Sequence, residues 1–339
     1  MSWHSVECTK SKGLKKIFVS LDIKISSRSD FESSPDNVSS VVSSHYWTDI
    51  SHKAMVALRG GEALDFLQRL STNDVARLQV GASTQTLLTN EKGRVLDLIS
   101  VIRTTNRSTI LMGETIGSET LIEWLTRFVI MENLELQDVS KSMKRYALWS
   151  SEVFDSKLDK LLLPKDVADS NDVALPSYVT VKSVNGFGEV LTYDPEGSTI
   201  LRFLTRWGEE KTVAEFENWR VFGGIPSAPG EINAKYNPFE LNLSDLVSFS
   251  KGCYIGQEVI ARIDTYKKAQ HKIARFEFPS NVRLNIPVSI EDQFGTSAGT
   301  MTSVGMYDGK GVGIGILEAR FLQNDLFNIA GSPAMKISN

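Results

Sequence analysis

Ser250-Lys251-Gly252-Cys253-Tyr254-Ile255-Gly256-Gln257-Glu258 is the densest concentration of reactive side chains in the sequence. Two glycines frame a thiol and a phenol, and an amide and a carboxylate follow. Glycines at this spacing let the backbone turn tightly and come close to a ligand. An ammonium beside a thiol lowers its pKa and favours the thiolate, the role open to Lys251 next to Cys253. Gln257 and Glu258 offer acceptors for the N–H groups of a heterocycle. The competing reading is a tight turn around an inert thiol, since free cysteine is among the most buried residue types. Chemistry alone favours that second reading. Val259, Ile260 and Arg262 then begin a helix or a departing strand.

Upstream of this stretch, Ile200 to Trp207 and Val213 to Val221 read as helices, the second ended by Gly223-Gly224 and Pro226. Arg220 stands near that end. There it can clamp a carboxylate with two parallel hydrogen bonds, or remain a solvated charge favoured by the helix dipole, which is the default. Tyr146 to Trp149, Tyr178 to Val184 and Glu189 to Tyr193 read as strands, with a Lys/Asp-rich helix and a loop over 151–175. Closer to the N-terminus, Met55 to Leu58 is a short strand, and Ala63, Phe66, Leu67 and Leu70 recur at helical spacing. Thr84 to Thr89 and Val95 to Arg103 form strands around the turn Asn90-Glu91-Lys92-Gly93, where Gly93 suits a positive φ. Thr109 to Met112 is a further strand. Ser118 is placed to cap a helix whose core face is Leu121, Ile122, Leu125, Phe128 and Val129.

Asp97 breaks an otherwise apolar strand, Val95 to Arg103, both faces of which are hydrophobic enough to be buried. A carboxylate in that setting needs partners or becomes neutral. Such groups concentrate at functional sites, which makes Asp97 a candidate ligand for an N–H-bearing group. A plain structural Asp bonded to neighbouring backbone fits equally well.

Downstream, helical signals fade over the last seventy or so residues. Ile273 to Phe278, Pro287 to Ile290, Gly299 to Val304 and Gly311 to Ile316 alternate with Gly and Asn/Asp turns, the pattern of a small antiparallel barrel or sandwich. Gly311, Gly313 and Gly315 read as strand glycines at close contacts rather than a phosphate loop, because no helix follows. Residues 1–44 differ in kind. Serine is over-used from Ser26 to Ser44, and the segment reads as a disordered tail in preference to a targeting presequence.

The net charge of −4 comes without any Lys/Arg-rich run, so direct nucleic-acid binding is not expected. Two cysteines, Cys8 and Cys253, cannot form a disulfide framework. The four histidines show no metal-binding spacing, and no metal site is expected. No apolar run reaches the roughly 20 residues a bilayer requires. The expectation is a soluble cytoplasmic protein, with a mitochondrial or plastid location as the alternative if the first 44 residues are a presequence.

The stretch from Ser250 to Glu258 resembles the signature of the YgfZ-type folate-binding proteins, a branch of the superfamily that contains the glycine-cleavage T protein. Asp49-Ile50-Ser51-His52, Leu67 through Val75, Leu87 through Leu98, Arg220 through Pro226, and Pro238 with Glu240 are similar to the superfamily pattern. The resemblance runs from about Tyr46 to the C-terminal barrel. It implies an α+β fold of three units arranged as a cloverleaf. Residues 45–266 would form a folate-binding region of two interleaved units, and 267–339 a small antiparallel β-barrel. It further implies tetrahydrofolate or a one-carbon derivative in a central hole. Asp97, Glu189, Arg220, Lys251, Gly252, Cys253, Tyr254, Gly256, Gln257 and Glu258 would be its binding residues, with Cys253 and Asp97 the candidates for chemistry. The partners implied are iron–sulfur enzymes, including tRNA-modifying ones, or their assembly proteins, served by a monomer.

Two departures bear on activity. T proteins carry paired aspartates where this chain has Gly93-Arg94-Val95-Leu96-Asp97-Leu98, so one aspartate remains and leucine takes the other position. Their Gly-Tyr-Thr-Gly-Glu segment corresponds to Asn185-Gly186-Phe187-Gly188-Glu189, with Glu189 standing in for the acidic ligand. Both losses weaken aminomethyl transfer, which stays the alternative function together with folate-dependent demethylation, and leave folate binding in place.

Overall fold

The computed structural model describes residues 45–150, 178–182, 187–193, 198–266 and 269–337. The expectations for residues 1–44, for Cys8 and for the helix and loop at 151–175 lie outside them.

Strand β1 (His45–Asp49) opens the described chain and belongs to the second of two sheets. The first sheet is built next, from β2 (Lys53–Arg59), β3 (Ser83–Thr89), β4 (Val95–Thr105), β5 (Ser108–Ile116) and β6 (Glu135–Asp138), in the order β3-β4-β5-β2-β6. Helices α1 (Ala63–Leu70) and α2 (Glu119–Thr126) cover one face. In α1 the four positions expected to point inward, Ala63, Phe66, Leu67 and Leu70, are all buried. They meet Val56, Leu58, Ile99 and Val101 of the sheet. On the opposite face Met55, Ala57, Ile102 and Met112 pack towards Leu191 of the second sheet. Strand β4 is therefore apolar on both sides because it is covered on both sides. Ser118 occupies the N-cap position of α2 without capping it. Its hydroxyl instead bonds the backbone N and O of Met55, both at 3.1 Å, beside the β-bulge of β2.

The second sheet has the order β10-β1-β7-β9-β8, with β7 (Lys144–Ser150), β8 (Tyr178–Lys182), β9 (Gly188–Thr192) and the short β10 (Glu209–Glu210). Helix α3 (Ser198–Trp207) packs Ile200 and Leu204 on Trp47, Tyr146, Leu148 and Val190. Helix α4 (Val213–Gly223) packs Phe216 and Trp219 on the other side, against Ala147, Trp149 and Phe187. The boundaries of α4 follow from its caps. Thr212 and Glu215 form a capping box, and Gly224 terminates the helix at φ 69°.

A long connection leads to α5 (Gln257–Tyr266), which settles the helix-or-strand question after Glu258, and then to the barrel. Strands β11 (His271–Phe278), β12 (Val288–Glu291), β13 (Ser297–Tyr307), β14 (Lys310–Glu318), β15 (Leu326–Ile329) and β16 (Ser332–Ile337) close in the order β11-β14-β13-β12-β15-β16. Four of these six strands are visible in the sequence; the short β15 and β16 are not. Inside the barrel, Gly311, Gly313 and Gly315 leave room for Phe276, Phe278, Met301 and Ile290, which a Cβ at those positions would strike. The alternate residues of β14, Val312, Ile314 and Ile316, face outward. They share a core with Leu87, Val95 and Leu98 of the first sheet, with Leu241, Leu246 and Tyr254 of the connection, and with Ile260 of α5. The architecture is thus α+β with a closed C-terminal barrel, as expected. Among the described residues no helix is long and apolar enough to cross a membrane.

Candidate functional site

Strands β4 and β5 pair from Thr105↔Ser108 to Ile99↔Gly113 and then diverge. Asp97 fills the gap. Its Oδ1 accepts from the backbone N–H of Glu114 at 2.9 Å and of Thr115 at 3.3 Å. Its Oδ2 is buried and has no hydrogen-bond partner. Glycine is required at 113, since a Cβ there would lie 2.5 Å from Oδ2. Burial pushes the Asp97 carboxyl up from an ordinary 3.8 to about 7; the negative charge of Glu114 adds to this, and the Glu114 N–H together with the hydroxyl and N–H of Thr115 oppose it. The candidate read from the sequence is therefore a carboxyl with one bonded oxygen and one open one.

Around Asp97 lies a network of buried charges drawn from all three units. Lys53 donates to Glu114 Oε2 at 2.6 Å, and Ser227 donates to the same oxygen at 2.7 Å. Burial works against ionisation of Glu114, but the charges of Lys53 and Arg145 and the bonds from Lys53 and Ser227 outweigh it and hold the carboxyl down to about 2. Arg145 reaches across from β7. Its Nη1 donates to the Gly113 carbonyl at 2.6 Å, while Nε and Nη2 donate to Glu189 Oε1 at 3.1 and 2.5 Å. Ser227 continues the chain of contacts to Glu231, whose Oε2 accepts from the Ser227 N–H at 3.0 Å and from Arg220 Nη1 at 3.3 Å. Glu231 Oε1 accepts from Thr302 and Ser303 of the barrel at 2.5 and 2.7 Å.

Arg220 is consequently a buried charge and not the solvated helix-terminal one that its position favours by default. It clamps through Glu217 at 2.7 Å, the Ile225 carbonyl at 2.5 Å and Ser303 at 3.2 Å as well as Glu231. Asp97, Glu189 and Arg220, three residues far apart in sequence, thus belong to one connected network.

The glycine-framed stretch lies elsewhere along the first sheet. Lys251 is buried, and its ammonium donates to the carbonyls of Ser71 and Asn73, both at 2.6 Å. Burial lowers its pKa to about 8, partly offset by Asp74. The lysine is an anchor to the turn after α1, which is further tied down by Thr72 donating to the Leu246 carbonyl at 2.7 Å. Tyr254 is buried in the core beneath the barrel, its hydroxyl without a partner. Gly256, at φ 83°, lies against the β3–β4 hairpin; a Cβ there would come within 2.5 Å of the Asn90 carbonyl and 3.0 Å of Gly93 Cα. Gln257 and Glu258 start α5, Gln257 half-buried and Glu258 exposed. Gly252 is exposed, with open space around it. Cys253 is exposed too, which overturns the expectation of a buried thiol. The loop and Asp97 approach each other through β3: Thr89 donates to the Ile255 carbonyl at 2.6 Å, and the adjacent Leu88 is the register partner of Asp97.

The fold superimposes on that of the glycine cleavage system aminomethyltransferase T of Bartonella henselae with a TM-score of 0.69, covering 88% of this chain and 86% of that one at 16% identity. The fold is GcvT-like. Residues 15–155 match the family model described as the GCVT N-terminal domain. Aminomethyltransferases of Symbiobacterium thermophilum and Aquifex aeolicus are each 27% identical, over 239 and 226 residues, or 63% and 65% of this chain. The matched part spans 63% and 61% of the length of those relatives.

Within this GcvT-like frame, sequence reasoning missed Lys53, Glu114, Arg145, Ser227 and Glu231. A signal for three of them was present. Lys53 precedes Ala54-Met55-Val56-Ala57-Leu58, Glu114 follows Ile110-Leu111-Met112-Gly113, and Arg145 precedes Tyr146-Ala147-Leu148-Trp149. Each is a charge beside an apolar run of its strand, where neighbouring elements still cover it. Ser227 and Glu231 sit in irregular backbone and left no pattern.

Proposed function

We propose that this protein binds tetrahydrofolate or a one-carbon derivative at the Asp97 network and serves iron–sulfur proteins as an accessory factor. The observation that carries the folate reading is the open Asp97 Oδ2: a buried carboxylate oxygen without a partner needs an N–H donor, and reduced pteridines present several. The donor set fits the group. Asp97 would accept from such an N–H, while Glu189 and Arg220, fixed through Arg145 and Glu231, hold the surrounding wall rigid. Tetrahydrofolate, when bound, supplies carriage of a one-carbon unit. The protein's own residues orient the N–H, exclude water and set the charge of Asp97. The accessory role rests on the likeness of Ser250 through Glu258 to the YgfZ signature and on the exposure of Cys253, which leaves the thiol available to a partner. Transfer of an aminomethyl group is the second reading, favoured by the names of the relatives.

Titration with tetrahydrofolate tests the shared part of both. Ligand at 100 times its Kd adds about 2.7 kcal/mol to stability, read as a rise in unfolding temperature. No shift at any concentration removes the folate reading. A thioether-bound aminomethyl donor in the same mixture separates the two: formation of methylene-tetrahydrofolate, with release of ammonia and the free thiol, supports the transferase. For the accessory role, Cys253→Ala is expected to fold normally and to lose rescue of iron–sulfur enzyme activity in cells lacking the native protein. Full rescue by that variant counts against it.

A further inference from the structure

We infer that Arg145 is a positioning residue for Asp97, acting from the second sheet through the peptide bond between Gly113 and Glu114. The carbonyl and N–H of one trans peptide are locked in a plane and point in opposite directions, so fixing one fixes the other. On one side the Gly113 carbonyl accepts from Arg145 Nη1 at 2.6 Å. On the other, the Glu114 N–H donates to Asp97 Oδ1 at 2.9 Å. Strand pairing does not hold this unit, because the β4–β5 register ends at Ile99↔Gly113. The guanidinium itself is locked by two bonds to Glu189. A rigid line Glu189–Arg145–Gly113/Glu114–Asp97 therefore crosses from one lobe to the other and determines which carboxylate oxygen is bonded and which stays open.

The planar fork of arginine serves the carbonyl and the carboxylate together, and a lysine ammonium cannot reproduce it. Arg145→Lys keeps the positive charge and so separates hydrogen-bond geometry from through-space electrostatics. The charged groups packed around Asp97 are Glu114 of β5, Lys53 of β2, and Arg145 and Glu189 of the second sheet; the substitution leaves all their charges intact.

The test is titration of the Asp97 side-chain carboxyl, followed by carbon-13 NMR in the ligand-free protein, before and after Arg145→Lys. The proposal expects the midpoint to rise by about half a unit or more, since the N–H bond that favours the ionised form is weakened. Where Arg145→Lys does not fold, Glu189→Asp keeps the charge while withdrawing the carboxylate from the guanidinium, and is expected to shift the midpoint in the same direction. An unmoved midpoint in the folded variant overturns the proposal. Its second arm rests on the folate reading: tetrahydrofolate affinity is expected to fall about tenfold in the variant. A shifted midpoint in a protein that binds no tetrahydrofolate, wild type included, upholds the positioning role and removes the folate reading alone.

Discussion

Glu231→Ala is expected to lower the stability of the protein by about 3–5 kcal/mol, the cost of removing one partner of a buried ion pair, measured as a drop in the urea midpoint. Glu231 is fully buried, and both its oxygens are occupied. Alanine would leave the Arg220 guanidinium short of a counter-charge, the Ser227 N–H without an acceptor, and the Thr302 and Ser303 hydroxyls without their shared partner. Thr302 still reaches the Ile314 carbonyl at 3.0 Å, and Arg220 keeps Glu217, so the loss stays within this range. The mechanism makes a second, sharper demand. Adding Arg220→Met to Glu231→Ala is expected to return part of the lost stability, because the uncompensated charge leaves with the arginine. A loss below about 1 kcal/mol in the single variant would mean that water replaces Glu231, and that the joint between α4, the 227–231 segment and the barrel is not sealed.

That joint also shows where sequence stops informing structure. Helices α1 and α4 and the hairpin around Gly93 were readable because periodicity, a capping pattern and a turn residue are local signals. The barrel was readable as a change in texture, and its glycines as places of close contact, because Phe276 and Phe278 need the space those residues leave. Asp97 announced itself by interrupting an apolar strand. What it bonds to was not readable, since its partners are main-chain N–H groups freed where two strands diverge, a property of register rather than residue type. Arg220 was misjudged for a related reason. Its position at a helix end is ordinary, and only the docking of the barrel residue Ser303 and of Glu231 against it turns a solvent-facing charge into an interior one. The glycine-framed stretch drew notice for its chemical density, yet Lys251, Tyr254 and Gly256 spend their side chains or their freedom on anchoring to the first sheet. Of that stretch, Ser250, Gly252, Cys253 and Glu258 are the residues left exposed.

Asp97→Asn is expected to stabilise the ligand-free protein at pH 8 while weakening tetrahydrofolate binding about a hundredfold. The sign follows from linkage. A carboxyl raised from 3.8 to about 7 holds its proton in the folded state over a range where the unfolded chain has released it. Its contribution is therefore fully present below pH 3.8 and is lost as pH rises through 7, a cost of about 4 kcal/mol at about 1.36 kcal/mol per unit. Glu114 runs the opposite way. Lowered from 4.5 to about 2, it favours the fold above pH 4.5 and loses that contribution only as pH falls towards 2, so the window between 4.5 and 7 belongs to Asp97. Asparagine removes the ionisation and keeps an oxygen for the Glu114 and Thr115 N–H groups, but places an amide without an acceptor where Oδ2 now stands, returning about 1–3 kcal/mol. The net gain at pH 8 is about 1–3 kcal/mol, and the two stability curves cross between pH 4 and 7, below which the wild type is the more stable. Binding moves the other way. An ionised Oδ2 accepts the ligand N–H, so wild-type affinity falls roughly tenfold per unit as pH drops below 7, whereas the asparagine amide meets that N–H donor to donor and weakens binding at pH 8 by about a hundredfold, or 2.7 kcal/mol. A variant that binds like wild type, with the same slope below pH 7, would show that the open oxygen is not the ligand's acceptor. A variant that is both more stable and weaker in binding would show that this carboxylate is kept against the interest of the fold, the pattern expected of a group retained for its chemistry.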